Sequence, residues 1–206
     1  MSIRVILVDD HPVVRAGLRS VVDAPEHIAV IGEGDSGEGA LAIVDELDPD
    51  VVLCDLRLGE GIDGIEVTKR LRALPNPPAV LILTTFDLDS EIVAALNAGA
   101  SGYLLKDIDP GDISIAIEKA AKGGTYLPPE ISSKAIAAMR NPGPKLTRRE
   151  REVVKLLATG VSNAQIAQEL FVTEATVKSH LVNVFTKLGV DSRARAIRVA
   201  EDRGLV

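Results

Sequence analysis

Three carboxylates that follow apolar runs are the first residues of this sequence that could do chemistry. Asp55 comes directly after the run 51–54, and Asp9 and Asp10 come directly after the run 3–8. Runs this short and this apolar are typical of strands that are buried on both faces of a parallel sheet. Loops and helix N-termini gather at the carboxyl edge of such a sheet, so we expect the three acids to meet there. Three carboxylates at one edge would need a cation.

Two further polar groups follow later apolar runs. Thr84 ends the run 79–84, and Lys106 follows the run 102–105. Mg²⁺ prefers a few carboxylate oxygens together with water and phosphate oxygens. A carboxylate can attack a phosphoryl group only where a metal and a cationic side chain neutralise the charge. A hydroxyl and an ammonium at the same edge as Asp55 therefore predict phosphoryl chemistry on that carboxylate.

Apolar runs alternate with amphipathic stretches through the first 120 residues. This alternation predicts an α/β fold, with a doubly wound five-stranded parallel sheet and helices on both faces. The predicted strands are 3–8, 28–32, 50–54, 79–84 and 102–105. The predicted helices are 12–23, 36–47, 63–73, 88–98 and 111–122. Pro12, Pro49 and Gly99 stand where these elements should begin or end.

The pattern changes after residue 120. Residues 121–143 are rich in Gly and Pro, which predicts a linker that could hold a short helix at 130–139. Residues 144–206 predict a small all-α domain of four helices, at 148–158, 162–169, 174–188 and 193–203. Thr147 and Glu150 have the spacing of a capping box. A short helix, a tight turn ending at Thr173 and a longer helix have the spacing of a helix-turn-helix.

Charge divides the chain in the same place. Residues 1–120 hold 22 acidic and 9 basic residues, whereas residues 121–206 hold 8 acidic and 14 basic ones. The acidic half suits a metal ion, and the basic half suits a polyanion such as nucleic acid. No apolar run approaches the roughly 18 residues of a membrane span, and the first residues do not read as a signal peptide. We therefore expect a cytoplasmic protein with no membrane partner, in which the single cysteine, Cys54, packs in the core.

Asp9, Asp10, Asp55, Thr84 and Lys106, each at the end of a predicted strand, resemble the receiver domain of two-component response regulators. The resemblance covers essentially all of residues 1–120 and implies a flavodoxin-like fold. It implies that Asp55 accepts a phosphoryl group from a sensor histidine kinase. It also implies that Asp10 binds Mg²⁺ (or Mn²⁺) directly, that Asp9 binds it through water, and that no other enzymatic activity is present.

The same resemblance implies four supporting roles. The backbone carbonyl of Arg57 would complete the metal ligands, Thr84 would hydrogen-bond the phosphoryl group, and Lys106 would pair with its oxygens. Tyr103 would rotate inward as Thr84 moves. The sequence departs from the family at residues 58–64, which lack the usual proline and are one residue longer, so we expect a more flexible loop there.

The basic half resembles the LuxR-type DNA-binding domain across residues 144–206, through the stretches 146–153, 174–181 and 187–190. A receiver joined to this domain is typical of the NarL/FixJ class of response regulators. The resemblance implies a homodimer on double-stranded promoter DNA, paired through the last helix, which has little else to pack on. The implied base-contacting residues are Lys178, Ser179, Val182 and Asn183. The implied phosphate-contacting residues are Thr173, Thr176, Lys187, Ser192 and Arg193.

Four alternatives stay open. The segment 32–37 matches the dinucleotide-binding pattern G-x-G-x-x-G, although its acids would crowd a pyrophosphate. An aspartyl-phosphate hydrolase would need a second acid two residues after the nucleophile, where this chain has Arg57. A receiver regulated without phosphate would account for the unusual loop at 59–62. His11 could bind the metal, but a capping and packing role beside Pro12 is the simpler interpretation.

Overall fold

A computed structural model describes residues 2–85, 88–140, 146–202 and 204–205. The chain forms two compact units, the first from residues 1–87 and 92–135 and the second from residues 88–91 and 136–206. The predicted boundary at 143–144 and the last residue of the predicted helix 193–203 lie outside the described residues. Within the described part of the chain, no helix has the length and apolar character to cross a membrane.

The first unit contains a five-stranded parallel sheet in the order β2-β1-β3-β4-β5, which confirms the predicted fold class. The strands are β1 (Ile3–Val8), β2 (Ile28–Gly34), β3 (Val51–Asp55), β4 (Ala79–Thr84) and β5 (Gly102–Leu105). The helices are α1 (Pro12–Val22), α2 (Gly37–Leu47), α3 (Gly64–Arg72), α4 (Asp89–Ala98) and α5 (Pro110–Ala121). Asp55 is the last residue of β3 rather than the first residue after it, because it still pairs with Leu83 of β4.

Side chains of the sheet alternate between two separate cores. Residues such as Ile6, Cys54 and Ile82 pack against α2, α3 and α4, whereas Leu53 and Leu83 pack against α1 and α5 on the other face. Because helices cover both faces, the strands read as continuous apolar runs. Burial of Cys54 in the core is as predicted, and desolvation raises the pKa of its thiol well above the usual range.

Helix α6 (Pro129–Arg140) spans the stretch where a short helix was predicted at 130–139. Its first half belongs to the first unit, where Ile131 and Ala135 are buried in the core on the α4 side of the sheet. The segment before it is also held, since Tyr126 donates its backbone N–H to Ser101 at 2.9 Å. The chain between β5 and α6 is therefore packed against the sheet.

The G-x-G-x-x-G segment is explained by close packing of a helix on a strand. A Cβ on Gly32 would lie 2.8 Å from the Cδ1 of Leu47 and 3.0 Å from the Cγ2 of Ile43, both on α2. Glu33, between the first two glycines, forms ion pairs of 3.4 Å with Arg15 and 2.7 Å with Arg19. The glycine thus lets α2 approach β2, and the acid faces α1.

The second unit contains four further helices around one core. They are α7 (Arg148–Ala158), α8 (Asn163–Glu169), α9 (Glu174–Leu188) and α10 (Arg193–Asp202). The predicted capping box of α7 is present, because Thr147 and Glu150 each accept a hydrogen bond from the other's backbone N–H. Ser162 and Gln165 form a second capping box at the start of α8. Both boxes satisfy backbone donors that a helix N-terminus leaves unpaired.

Helix α10 packs into this core, so the expectation that it has little else to pack on is wrong. Ala196 and Ala200 are fully buried, and Ile197 and Val199 are partly buried against α7 and α9. The alanines allow close approach because they are small. Ala194, in the first turn of the helix, is exposed. The pairing of two domains through α10 stays a prediction.

Phe171 stands in the turn between α8 and α9 with an unusual backbone. Its φ is +54°, in the left-handed region, and its side chain is 95% exposed. This conformation costs an L-residue roughly 1–2 kcal/mol, whereas glycine adopts it freely. The turn is held by backbone hydrogen bonds from Phe171 to Gln168 at 3.2 Å and from Val172 to Ala167 at 2.9 Å.

Substitutions at Phe171 should change stability in an order set by the backbone alone. We expect Phe171→Gly to raise the free energy of unfolding and Phe171→Val to lower it, because β-branched residues tolerate a positive φ least. Denaturant unfolding of the three full-length proteins measures this order. Equal stability of all three would contradict the left-handed turn.

Candidate functional site

The three predicted carboxylates meet at the carboxyl edge of the sheet. Asp9 and Asp10 follow β1, Asp55 ends β3, and these two strands are neighbours. Asp9 is 1% exposed, Asp55 is 6% exposed, and Asp10 is half-buried. One ligand atom from each, together with a ring nitrogen of His11, lie within 4.8 Å of one another. The arrangement concentrates negative charge in a partly buried pocket.

Lys106 lies between two of these carboxylates. Its Nζ is 2.7 Å from Oδ2 of Asp55 and 2.6 Å from Oδ2 of Asp9. Burial acts to lower the pKa of Lys106, but its hydrogen bonds and charge interactions with the two acids raise the pKa overall. Burial raises the pKa of Asp55, although the bond and charge of Lys106 oppose that shift. The pocket therefore holds one ammonium among three acids.

Thr84 lies at the predicted end of a strand, Tyr103 lies within β5, and Arg57 is two residues after the end of β3. Thr84 ends β4 and is almost fully buried, and its carbonyl accepts the backbone N–H of Lys106 at 2.8 Å. Tyr103 is fully buried in the core beneath α4. The backbone N–H of Arg57 donates to Oδ1 of Asp55 at 3.3 Å. The ring of Tyr103 lies inside, whereas its coupled motion with Thr84 stays a prediction.

His11 does not play the capping and packing role that was expected. It occupies the N-cap position of α1, but its side chain makes no capping hydrogen bond and is 67% exposed. The ring instead contacts Asp10, with Nδ1 2.7 Å from Oδ1 of that residue. Its backbone N–H donates to Oδ1 of Asp9 at 2.9 Å. His11 therefore fixes the orientation of both acids.

The unusual loop after Asp55 is fastened to α2. Gly59 and Gly61 have φ values of +60° and +105°, so the additional residue is accommodated by backbone conformations that favour glycine. Glu38 accepts the backbone N–H of Ile62 at 3.2 Å, and Leu58 is buried. Asp63 then caps α3 by accepting the N–H of Glu66 at 2.8 Å. These contacts do not favour the looser loop that the sequence suggested.

The donor set of the pocket fits Mg²⁺ or Mn²⁺. Carboxylate oxygens are the hard ligands that these ions take, and a single ammonium leaves the charge of three acids incompletely neutralised. Asp9, Asp10 and Asp55 would hold the ion. The ligand role of the Arg57 carbonyl stays a prediction.

The second unit presents a polar face along α9. Val177, Leu181, Val184 and Leu188 are buried on one side of the helix. The four predicted base-contacting residues, Lys178, Ser179, Val182 and Asn183, are all exposed on the other side. Val182 is 63% exposed, and its contact with a base stays a prediction. Thr173 is the N-cap of the helix, and its hydroxyl accepts the N–H of Thr176 at 3.2 Å.

Two of the predicted phosphate contacts are cations that already hold partners inside the protein. Lys187 lies 2.6 Å and 2.9 Å from the two carboxylate oxygens of Glu150. Arg193 donates to the carbonyl oxygens of Val161 at 2.6 Å and Leu157 at 3.3 Å. Ser192 is half-buried. The sequence did not indicate these bonds, because the partners come from elements far away in the chain.

Two family models match the chain. One, described as the response regulator receiver domain, matches residues 5–118, and the other, described as bacterial regulatory proteins of the luxR family, matches residues 144–200. The chain is similar to the transcriptional regulatory protein LiaR of Bacillus subtilis (strain 168), with 40% identity over 99% of each chain. It is similar to the response regulator protein VraR of Staphylococcus aureus, with 39% identity over 100% of both.

Two solved structures match the chain over both its receiver and its DNA-binding parts. The response regulator ChrA of a heme-sensing two-component system has 42% identity and a TM-score of 0.60, with 100% of this chain and 99% of that one covered. RcsB of Salmonella enterica serovar Typhimurium, bound to a promoter in the presence of phosphomimetic BeF3-, has 25% identity and a TM-score of 0.69. That match covers 98% of this chain and 99% of the other.

Removal of the Asp55 charge should stabilise the metal-free protein. Since burial raises the pKa of this carboxyl, its protonated form favours the fold, and that contribution is lost as the pH rises through the folded pKa. We expect Asp55→Asn to raise the melting temperature near pH 7, with a smaller gain near pH 4, about the ordinary carboxyl pKa. Thermal unfolding at the two pH values measures the difference.

Magnesium should stabilise the wild type more than the Asp55→Asn variant. An ion that binds only the folded pocket stabilises it in proportion to its affinity, so MgCl₂ should raise the melting temperature of the wild type more than that of Asp55→Asn. Asp45→Asn, which removes one charge from an exposed position of α2, is the matched control. An equal response of all three proteins would argue against metal binding in the pocket.

Proposed function

Because the chain belongs to the response regulators that join a receiver domain to a LuxR-type DNA-binding domain, we propose that phosphorylation of Asp55 controls its binding to promoter DNA. The family consists of regulators of transcription rather than catalytic enzymes. The phosphoryl donor is a sensor histidine kinase, and the only chemistry of the chain itself is the metal-dependent gain and loss of a phosphoryl group at Asp55.

The observation that carries this proposal is the position of the Asp55 carboxylate. It is nearly buried, lies 2.7 Å from the Lys106 ammonium and stands in the same cluster as Asp9 and Asp10. One carboxylate oxygen faces Lys106 and the other accepts the N–H of Arg57, so the nucleophile is oriented before a donor arrives. A bound Mg²⁺ would supply the positive charge that lets a carboxylate meet an anionic phosphoryl group.

Lys106 has a second role once the phosphoryl group is attached. Asp55 then carries new oxygens at the place that Lys106 contacts, and the ammonium pairs with them because charge-assisted hydrogen bonds are the strong ones. The Thr84 hydroxyl, at the end of the neighbouring strand, is the donor for another of these oxygens. Since the Lys106 backbone is bonded to the Thr84 carbonyl, β4 and β5 would respond together.

Tyr103 would carry this response to the surface. It belongs to the same buried cluster as Ile82, Ile92 and Ala95, so a shift of Thr84 would change the packing beneath α4. The face formed by α4, β5 and α5 would report the phosphorylation state. Binding of promoter DNA as a homodimer follows in this proposal, with α9 reading the major groove through Lys178, Ser179, Val182 and Asn183.

Among the predicted phosphate contacts, Thr173 and Thr176 have the better support. They lie at the exposed start of α9, where backbone N–H groups and the helix dipole also favour a phosphate. Ser192 and Arg193 stay in the proposed set, although Arg193 already bonds two carbonyl oxygens.

The experiment compares the wild type with Asp55→Asn, each treated with a small phosphodonor and MgCl₂. We expect covalent phosphorylation, detected by intact mass, in the wild type alone. Genomic DNA fragments should be bound more tightly after treatment of the wild type and unchanged for Asp55→Asn. Asp45→Asn should behave as the wild type, because it alters charge away from the pocket.

Two results would contradict the proposal in different ways. Phosphorylation at another residue would remove Asp55 from its role. If untreated Asp55→Asn bound and regulated the same DNA as strongly as the treated wild type, the receiver would be regulated without phosphate.

A further inference from the structure

Glu150 is an acid buried in the DNA-binding unit. It is 3% exposed and lies in the first turn of α7, where its carboxylate accepts the backbone N–H of Thr147 at 2.6 Å. Burial acts to raise the pKa of this carboxyl, but hydrogen bonds from Lys187 and Thr147 lower the pKa overall. Glu150 is therefore a carboxylate at neutral pH.

The same carboxylate holds the cation in the last turn of α9. Lys187 Nζ contacts both oxygens of Glu150, at 2.6 Å and 2.9 Å, and the lysine side chain is about one-third exposed. The pair joins the start of α7 to the end of the helix that presents the proposed base contacts. The pair is partly buried, and the backbone N–H of Thr147 holds the Glu150 carboxylate in place. The pair of Lys178 with Glu174, at 3.3 Å, is exposed by contrast.

The electrostatic consequence follows from how DNA affinity arises. Each lysine that neutralises a DNA phosphate releases counterions, which strengthens binding to any sequence and makes the affinity more dependent on salt. A lysine that is already neutralised by a buried carboxylate has little net charge to offer a phosphate. Lys187 would then hold α9 in place without adding to sequence-independent affinity.

We propose that Glu150 is a specificity-determining residue: its carboxylate withholds Lys187 from DNA phosphates and so lowers the affinity for non-cognate DNA. The carboxylate acts through Lys187 and touches no base itself. This inference rests on the proposed DNA binding, and it removes Lys187 from the phosphate-contacting set that the sequence implied.

The substitution Glu150→Gln isolates the charge. Glutamine can still accept the backbone N–H of Thr147, so the capping box is kept while the negative charge is lost. Lys187→Gln removes the cation, and the double variant removes both. Lys178→Gln is the matched control, because it removes an exposed cation from the same helix.

The measurement is the affinity of each full-length protein for a random-sequence DNA duplex, by fluorescence anisotropy over a range of KCl concentrations. For Glu150→Gln we expect tighter binding and a log–log salt slope steeper by about 0.9 for each DNA-binding unit. Lys187→Gln should leave the wild-type slope unchanged, and the double variant should return to it. Lys178→Gln should weaken binding and make the slope shallower.

Three results would overturn the proposal. A slope that becomes shallower by about 0.9 in Lys187→Gln would show that Lys187 contacts a phosphate despite Glu150. An unchanged slope in Glu150→Gln would show that the freed lysine meets no phosphate. A wild-type chain whose DNA affinity does not depend on salt would overturn the proposed DNA binding itself. If Glu150→Gln does not fold, the salt slope of Lys187→Gln still tests the proposal, because that variant keeps Glu150.

Discussion

An ammonium shared by two nearly buried carboxylates holds the acidic edge of the sheet together. Lys106 lies within 2.7 Å of both Asp9 and Asp55, and without it the carboxylates would repel one another in a region of low dielectric. Asp10 lies at the more exposed side of the cluster, with its side chain 28% exposed. Burial raises the pKa of Asp55 in spite of this ammonium, so the carboxylates still lack positive charge that a bound metal ion would supply.

Much of the first unit was predictable because short-range sequence patterns determine it. Continuous apolar runs, without the alternation of a half-exposed strand, predicted buried parallel strands. The acids, Thr84 and Lys106 were located because each one ends or follows such a run. Parallel strands bring their carboxyl ends to one edge, so five residues that are distant in the chain could be assembled by topology alone. The small error at Asp55, which belongs to β3, does not move its side chain from that edge.

The parts that could not be predicted depend on partners that sequence spacing does not reveal. Lys187 reads as a cation on a solvent-facing helix, and only the fold brings the Glu150 carboxylate to it. The face of α10 looked unpartnered because alanine carries little apolar signal, although small residues pack well where helices approach closely. His11 looked like a cap because it precedes Pro12, whereas the neighbouring acid determines where its ring lies.

The residues of the acidic site come from strands at opposite ends of the first unit's sequence. Asp9 follows β1, Asp55 ends β3 and Lys106 follows β5, so the pocket combines the first and the last strands of the unit. Contacts between such distant segments carry an entropic cost, because each closes a long loop of chain. A chain emerging from the ribosome has the acids long before it has the ammonium. The cluster of Asp9, Asp55 and Lys106 is therefore complete only once β5 has joined the sheet.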